Sequence, residues 1–220
     1  MYNYKEDSKK NLLDLIDSVG IARTEVFAGD YLDEPQITII SPTRDFYESL
    51  LPKFRNKLNF HWALEALEEN SYSSKDDISD ETTLSKTLDD ATDDTSAHNQ
   101  SSIVFLLETD EKQKFLFTGD AGRDAFNHVP QTLLGKVKDV TWMKVPHHGS
   151  KHNLDSTIIK HVNPEIAYIS TEKQGKYLNR STVFALKKNG TKVYSTSQNR
   201  STIRHGAIKT REGWTKIEPM

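Results

Sequence analysis

The sequence predicts an α+β domain built around a layered sheet, and three observations carry that prediction. SSIVFLLE and KFLFTGD are apolar runs joined by the polar turn TDEKQ, the pattern of a hairpin. VTWMKV, EIAYIS and TKVYST are strand-like and are separated by helical patterns, which implies parallel crossovers. With 220 residues the chain is long enough to bury a core without disulfide or metal staples.

The elements follow in order. Residues 8–19 (SKKNLLDLIDSV) place Leu12, Leu13, Leu15, Ile16 and Val19 on one helical face, and Gly20 follows where a helix stops. EVFAGDYL and QITIIS read as short strands, the second closed by Ser41-Pro42. DFYESLLPKF reads as a helix after that turn, and Phe60 to Glu69 as a further helical piece. Beyond the hairpin, helical patterns at residues 123–134, 154–161 and 181–189 lie between the later strands. STIRHGAIKT, the turn REG and WTKIE read as a terminal hairpin.

Composition narrows the class. Cysteine is absent, which excludes disulfide frameworks and thiolate metal sites. No apolar run approaches the roughly 20 residues of a membrane span, and MYNYKEDSKK lacks the apolar core of a signal peptide, so a cytoplasmic protein with no membrane span is expected. The net charge of -3 conceals a division: residues 136–220 hold 16 Lys+Arg against 6 Asp+Glu, which leaves -13 on residues 1–135. Between Glu68 and Asp94 there are 10 acids and 2 lysines. Residues 70–97 are therefore expected to be a mostly disordered acidic insertion, with room for a short helical stretch, between ordered parts at 1–69 and 98–220.

Two segments carry chemistry, Thr118-Gly119-Asp120-Ala121-Gly122 and Pro146-His147-His148-Gly149-Ser150, each directly after an apolar strand. If those strands are parallel neighbours, about 4.8 Å apart, their carboxyl ends share one edge of the sheet, where α/β proteins place their sites. A Gly-Asp after a strand is by itself an ordinary turn. Two imidazoles at a strand end suit neither core nor solvent, and with a carboxylate beside them they form a candidate metal or phosphate site, the ligand types suiting Zn²⁺ or Mn²⁺.

The run SSIVFLLE, KFLFTGDAG, VTWMKVPHHGSKHN, IAYIST and KKNGTKVYST resembles the C-terminal half of metallo-β-lactamase-fold hydrolases. The nearest branch is the one that includes the soluble domain of ComEC-type competence proteins and related phosphodiesterase-like enzymes. The resemblance spans residues 99–218 and extends more loosely back to residue 8, where ITIISPT matches the family's strand and Ser-Pro turn. It implies an αββα sandwich, a pair of zinc ions (manganese as the alternative) and hydrolysis of a phosphodiester or related ester. On that resemblance Asp120 matches the carboxylate that bridges the metals, and His148 matches a metal ligand. His147 sits beside the metals and contacts substrate or leaving-group oxygen; the two histidine roles are interchangeable. His98 is the candidate for a further ligand upstream of the GDA motif.

The departures set the expected function. No His-x-His-x-Asp-His motif occurs, and Asn179 stands where the family carries an imidazole. A catalytic zinc takes about three protein ligands plus water, so the resemblance implies a sandwich with its N-terminal portion missing and a metal centre that this chain does not complete alone. The expected partner is a missing N-terminal fragment or a second copy. The expected function is the C-terminal portion of a metal-dependent hydrolase, inactive or incomplete as this chain; the other reading is a non-catalytic remnant or partner-binding module. A nucleic acid is a further candidate partner for the basic region, through Lys144, Lys151, Lys173, Lys176, Arg180, Lys187, Lys188, Arg200 and Arg204, set against the plain reading that these side chains are solvated.

Overall fold

The computed structural model describes residues 12–55, 81–171, 178–198, 202–205 and 212–220. The element order is α1 (Leu12–Ser18), β1 (Tyr31–Leu32), β2 (Gln36–Ser41), α2 (Arg44–Arg55), α3 (Glu81–Asp89), α4 (Ala97–Gln100), β3 (Val104–Glu108), β4 (Lys114–Phe117), α5 (Arg123–Asn127) and α6 (Gln131–Leu134). Then come β5 (Trp142–Lys144), a 3₁₀ turn (Pro146–Gly149), α7 (Ser156–Val162), β6 (Ile166–Ile169), α8 (Arg180–Lys188), β7 (Lys192–Ser195), β8 (Thr202–Arg204) and β9 (Trp214–Lys216). The architecture is α+β. The helical piece expected at Phe60 to Glu69 lies outside the described residues.

The strands from β1 to β7 form one mixed sheet in sequence order. β1 to β4 pair antiparallel, and β4 to β7 pair parallel. The antiparallel hairpin β3–β4 is the one expected from TDEKQ. The parallel half follows from the helices between its strands, because a crossover helix returns the chain to the starting edge.

Alternation along the strands decides the layers. Leu106, Leu116, Met143, Ala167 and Val193 share one face and are buried with residues of the helices, including Leu50, Leu88, Ile159 and Leu186. The opposite face carries aromatic side chains in contact from strand to strand. Ring centroids lie 4.7 Å apart for Phe105–Phe117, 5.1 Å for Phe117–Trp142, 5.7 Å for Trp142–Tyr168 and 5.2 Å for Tyr168–Tyr194. Burial pushes the Tyr168 phenol up to about 12, with Tyr194 adding to it. The second sheet among the described residues is the two-stranded pair β8–β9, not a full layer.

Three local expectations differ. First, on the described part of the apolar face that begins in α1, Leu15 and Val19 are 54% and 61% exposed and Ile16 is half-buried. Second, the terminal hairpin is corrected. β8 and β9 pair in parallel, and residues 205–213 lie between them, so the REG turn does not join adjacent antiparallel strands.

Third, the acidic stretch is ordered in its later part. Residues 70–80 lie outside the described residues, but Glu81–Asp89 is a helix with Leu84 and Leu88 buried. The short helical stretch allowed for in this insertion is this helix, anchored among the described side chains by two leucines one turn apart.

One buried cation holds this segment down. Arg123, 6% exposed, donates to the carbonyls of Leu88, Ala91, Lys151 and Leu154, and its Nη1 lies 3.0 Å from Asp93 Oδ1. Its fork of donors satisfies backbone oxygens from two separate loops. Replacing Arg123 with Ala strands those carbonyls, and we expect a loss of about 3 kcal/mol in urea unfolding. A change within experimental error would show that this clamp does not hold the segment.

Candidate functional site

The site forms where β4 and β5 end side by side. Thr118 Oγ1 donates to Lys144 O at 2.7 Å, and His147 N–H to Gly119 O at 3.4 Å, so the GDA and HHG turns are bound directly to each other. Asp120 follows β4; its N–H donates to Ser102 Oγ at 3.1 Å, and its carboxylate is 39% exposed. Lys144, the last residue of β5, reaches Gly119 O at 2.5 Å and Asp120 Oδ1 at 3.4 Å. An ammonium is thus already the cation beside Asp120.

The HHG turn has unusual backbone. His147 and His148 have φ of 42° and 56°, and Gly149 follows at 89°. Non-glycine residues in the left-handed region are uncommon and cost about 1 kcal/mol or more each. Glycine is favoured there by its φ, and a Cβ on Gly149 would also lie tightly, 3.2 Å from Ile169 Cγ2 and 3.3 Å from Leu178 Cδ1. The turn is held by Ser150 N–H to His147 O at 3.0 Å, Asn179 N–H to Gly149 O at 3.1 Å, and His148 Nδ1 against Ser170 O.

The structure adds residues that the motifs did not single out. Asp94, from the acidic stretch, lies against His147, with Oδ2 3.2 Å from the ring Nδ1. Its Oδ2 also accepts from Asn99 Nδ2 at 2.9 Å and Asn153 Nδ2 at 3.0 Å, and its Oδ1 accepts from Ser96 N–H at 2.9 Å. Asn153 is fully buried and also donates to Asp120 O at 3.1 Å, so one amide spans the two acidic residues. Its Oδ1 finds no hydrogen-bond partner among the described residues.

Gln100 supports the loop from beneath: its Nε2 donates to Asp94 O, and its Oε1 accepts from Ala125 N–H at 3.0 Å. Gly122 leaves room for that amide, since a Cβ there would lie 2.1 Å from Gln100 Nε2. Asp94 escaped sequence reasoning because one carboxylate in an acid-rich run has no distinguishing pattern. The signal that could have found it is the run of polar side chains, Asp94, Asn99 and Gln100, just before an apolar strand that leads to the GDA motif.

The expected residues fall into separate places. Asp120 and His147 are on adjoining turns at this edge, whereas the His148 ring bonds Ser170 O and lies 6.1 Å from the His147 ring between centroids. His98 is on the exposed side of α4, with its ring 4.6 Å from that of Phe54. Asn179 caps α8, its Oδ1 accepting from Ser181 N–H at 2.9 Å.

The zinc ions that the resemblance implies do not fit the described residues. No group of three or more His, Asp or Glu side chains among them converges to hold a metal ion. Lys144 occupies the flank of Asp120, and Asp94 occupies Nδ1 of His147.

Electrostatics couples Asp94 and His147. Burial acts to raise the Asp94 carboxyl, but hydrogen bonds from His147, Asn99, the Ser96 N–H and Asn153 outweigh it and hold the group below its ordinary range. Burial likewise acts to lower His147, but the hydrogen bond and charge of Asp94, then Asp120 and Asn153, raise it above its ordinary value. His152 moves down, chiefly through burial, although its ring bonds Thr92 O.

The signs fix a pH window. Asp94, lowered in the fold, stabilises above the unfolded carboxyl value and loses that contribution as pH falls through its folded value. His147, raised in the fold, contributes fully below its ordinary 6.5 and loses that contribution as pH rises through the folded value. Stability from this pair is therefore greatest between about pH 4 and about pH 6.5. We expect urea unfolding of the wild type to weaken on the alkaline side of that window, and His147→Gln to remove this alkaline decline; an identical decline in the variant would assign it to another group.

Comparison with known proteins gives a partial likeness. No family model matches the chain, and no solved structure matches it. Over 128 residues the chain is 30% identical to ComE operon protein 3 of Bacillus subtilis (strain 168), a match that takes in 57% of this chain and 16% of that protein. The chain is thus similar to about one sixth of the length of that relative.

Proposed function

We propose that this chain is the later part of a metallo-β-lactamase-type hydrolase acting on a phosphodiester or related ester, with a metal-binding set that these residues leave incomplete. The observation that carries the reading is the direct bonding of the GDA turn to the HHG turn at the carboxyl ends of two parallel strands. The likeness to ComE operon protein 3 supports the branch named from the motifs.

In this reading the chain's own residues position and protonate. Lys144 holds Gly119 O and Asp120, and His147, charged over a wider pH range than an ordinary histidine, faces the same edge as a proton carrier. Zinc or manganese would supply the activated water and a Lewis acid, and the missing ligands would come from another segment or chain.

The purified chain tests both halves of this reading. We expect less than one equivalent of zinc or manganese after equilibration, no turnover of bis-p-nitrophenyl phosphate, and millimolar binding of that ester that shifts the backbone resonances of Asp120, His147 and His148. Stoichiometric metal with turnover would overturn the incompleteness. No resonance shift would overturn the ester site and favour the non-catalytic module.

We propose a nucleic acid as the phosphodiester, supported by the basic face of α8. Arg180, Lys187 and Lys188 line a cavity of about 610 Å³ together with Val183 and Phe184. Leu178, in the same lining, packs near Gly149 of the HHG turn. Among the described residues no helix is long and apolar enough to cross a membrane. Binding of a single-stranded oligonucleotide should weaken steeply between low and moderate salt as counterions are released. Flat salt dependence would sink the nucleic-acid reading while leaving the ester site standing.

A further inference from the structure

We propose that Asp94 is a positioning residue for this site: its carboxylate fixes the His147 ring with the proton on Nδ1, so that Nε2 carries the lone pair that takes up a proton. The role assigned to Nε2 rests on the ester-site reading above; the fixed ring and tautomer do not.

Donor and acceptor accounting carries the assignment. Asp94 Oδ2 lies 3.2 Å from His147 Nδ1, and a carboxylate only accepts. A lone pair on Nδ1 would face that oxygen with no proton between them. Asn99 Nδ2 also lies 3.5 Å from that Nδ1, the longer of its two contacts, and donates to Asp94 Oδ2 at 2.9 Å; an Nδ1 lone pair would gain this long contact and still face the carboxylate oxygen. Nδ1–H donating to Oδ2 is the arrangement that satisfies all of these groups. This follows the general rule that one imidazole nitrogen is set by the bond the other makes.

The carboxylate is itself immobile. Its side chain is 10% exposed, its backbone N–H donates to His152 O at 3.1 Å, and Gln100 Nε2 holds its carbonyl. Donors from His147, Asn99 and Asn153 meet on Oδ2, and the Ser96 N–H meets Oδ1. An asparagine has one acceptor oxygen and an NH₂ group, so at this position its NH₂ would face a donor whichever way the amide turned. The carboxylate is therefore required for its pair of acceptors and not only for its charge. It also explains how a strained turn presents one ring orientation: the His147 backbone is fixed at φ 42°, and its ring is fixed by Asp94.

The test is the tautomer of His147, read from imidazole ¹⁵N shifts of the full chain at a pH where the ring is neutral. The wild type should show one tautomer, protonated on Nδ1. Asp94→Asn should give a mixture or the Nε2–H form and weaken bis-p-nitrophenyl phosphate binding about tenfold. Asn99→Ala, which removes a different donor to the same carboxylate, should leave the His147 tautomer unchanged. A wild-type His147 protonated on Nε2 alone overturns the proposal without any variant, so a poorly folded Asp94→Asn does not shield it. A pure Nδ1–H tautomer in folded Asp94→Asn overturns it as well. If the ester shifts no resonance while the tautomer responds as described, the ester site fails and the positioning of His147 stands.

Discussion

The site exists because a single buried guanidinium at the start of α5 gathers two loops that are distant in sequence. Arg123 takes carbonyls from Leu88 and Ala91 on one side and from Lys151 and Leu154 on the other. The first pair belongs to the acidic stretch and the second to the chain just after the HHGS motif. Drawing them together places Asp94 against His147 and Asn153 against both acidic residues. Burying an unpaired cation would be unfavourable by several kcal/mol, so the carbonyls and Asp93 are a condition of the fold at this point. The acidic stretch is therefore structural where it meets this cation.

Charges at the edge are arranged in pairs of opposite sign. Asp94 faces His147, and Asp120 faces Lys144. The first pair is nearly enclosed, at 10% and 17% side-chain exposure, and the second is more open, at 39% for Asp120. Enclosure strengthens the coupling of the first pair and leaves the second subject to screening. The more open carboxylate is the one that the motifs assign to metals, and the enclosed one is the one that orients a ring. The backbone strain at His147 and His148 sits between the two pairs, where hydrogen bonds from β6 and from the start of α8 restrain it.

Much of this was legible in the sequence, for reasons tied to particular residues. β3, β4, β5, β6 and β7 were readable because each is a short apolar run bounded by polar turns, and the parallel order followed from the helices between them. Asp120, His147 and His148 were readable because each follows such a strand. Asp94 was not, because its role depends on Arg123, Gln100 and Asn153 placing the loop, and none of those contacts has a local pattern. His98 had suitable spacing to the next strand, but α4 turns it toward Phe54. The parallel β8–β9 pair was missed because WTKIE and STIRHGAIKT carry the same alternation whichever direction they pair.

The two faces of the sheet place the Asp94–His147 pair and the Asp120–Lys144 pair in different surroundings. Leu116 and Met143 point to the helices, and that face is closed by the packed core. Lys144 alternates to the other face, next in register to Tyr168 and in line with Phe105, Phe117 and Trp142. The groups that position His147 come from the loops and helices of this chain: Asp94 before α4, Asn99 on it, and Asn153 ahead of α7. They are held by hydrogen bonds to one another and by the Gln100 and Arg123 contacts that anchor their loops. Among the described residues Asp120 and His148 belong to no group of three or more His, Asp or Glu side chains that could hold a metal ion. The Lys144 ammonium already lies 3.4 Å from Asp120 Oδ1, so a second cation at this carboxylate would have to compete with it.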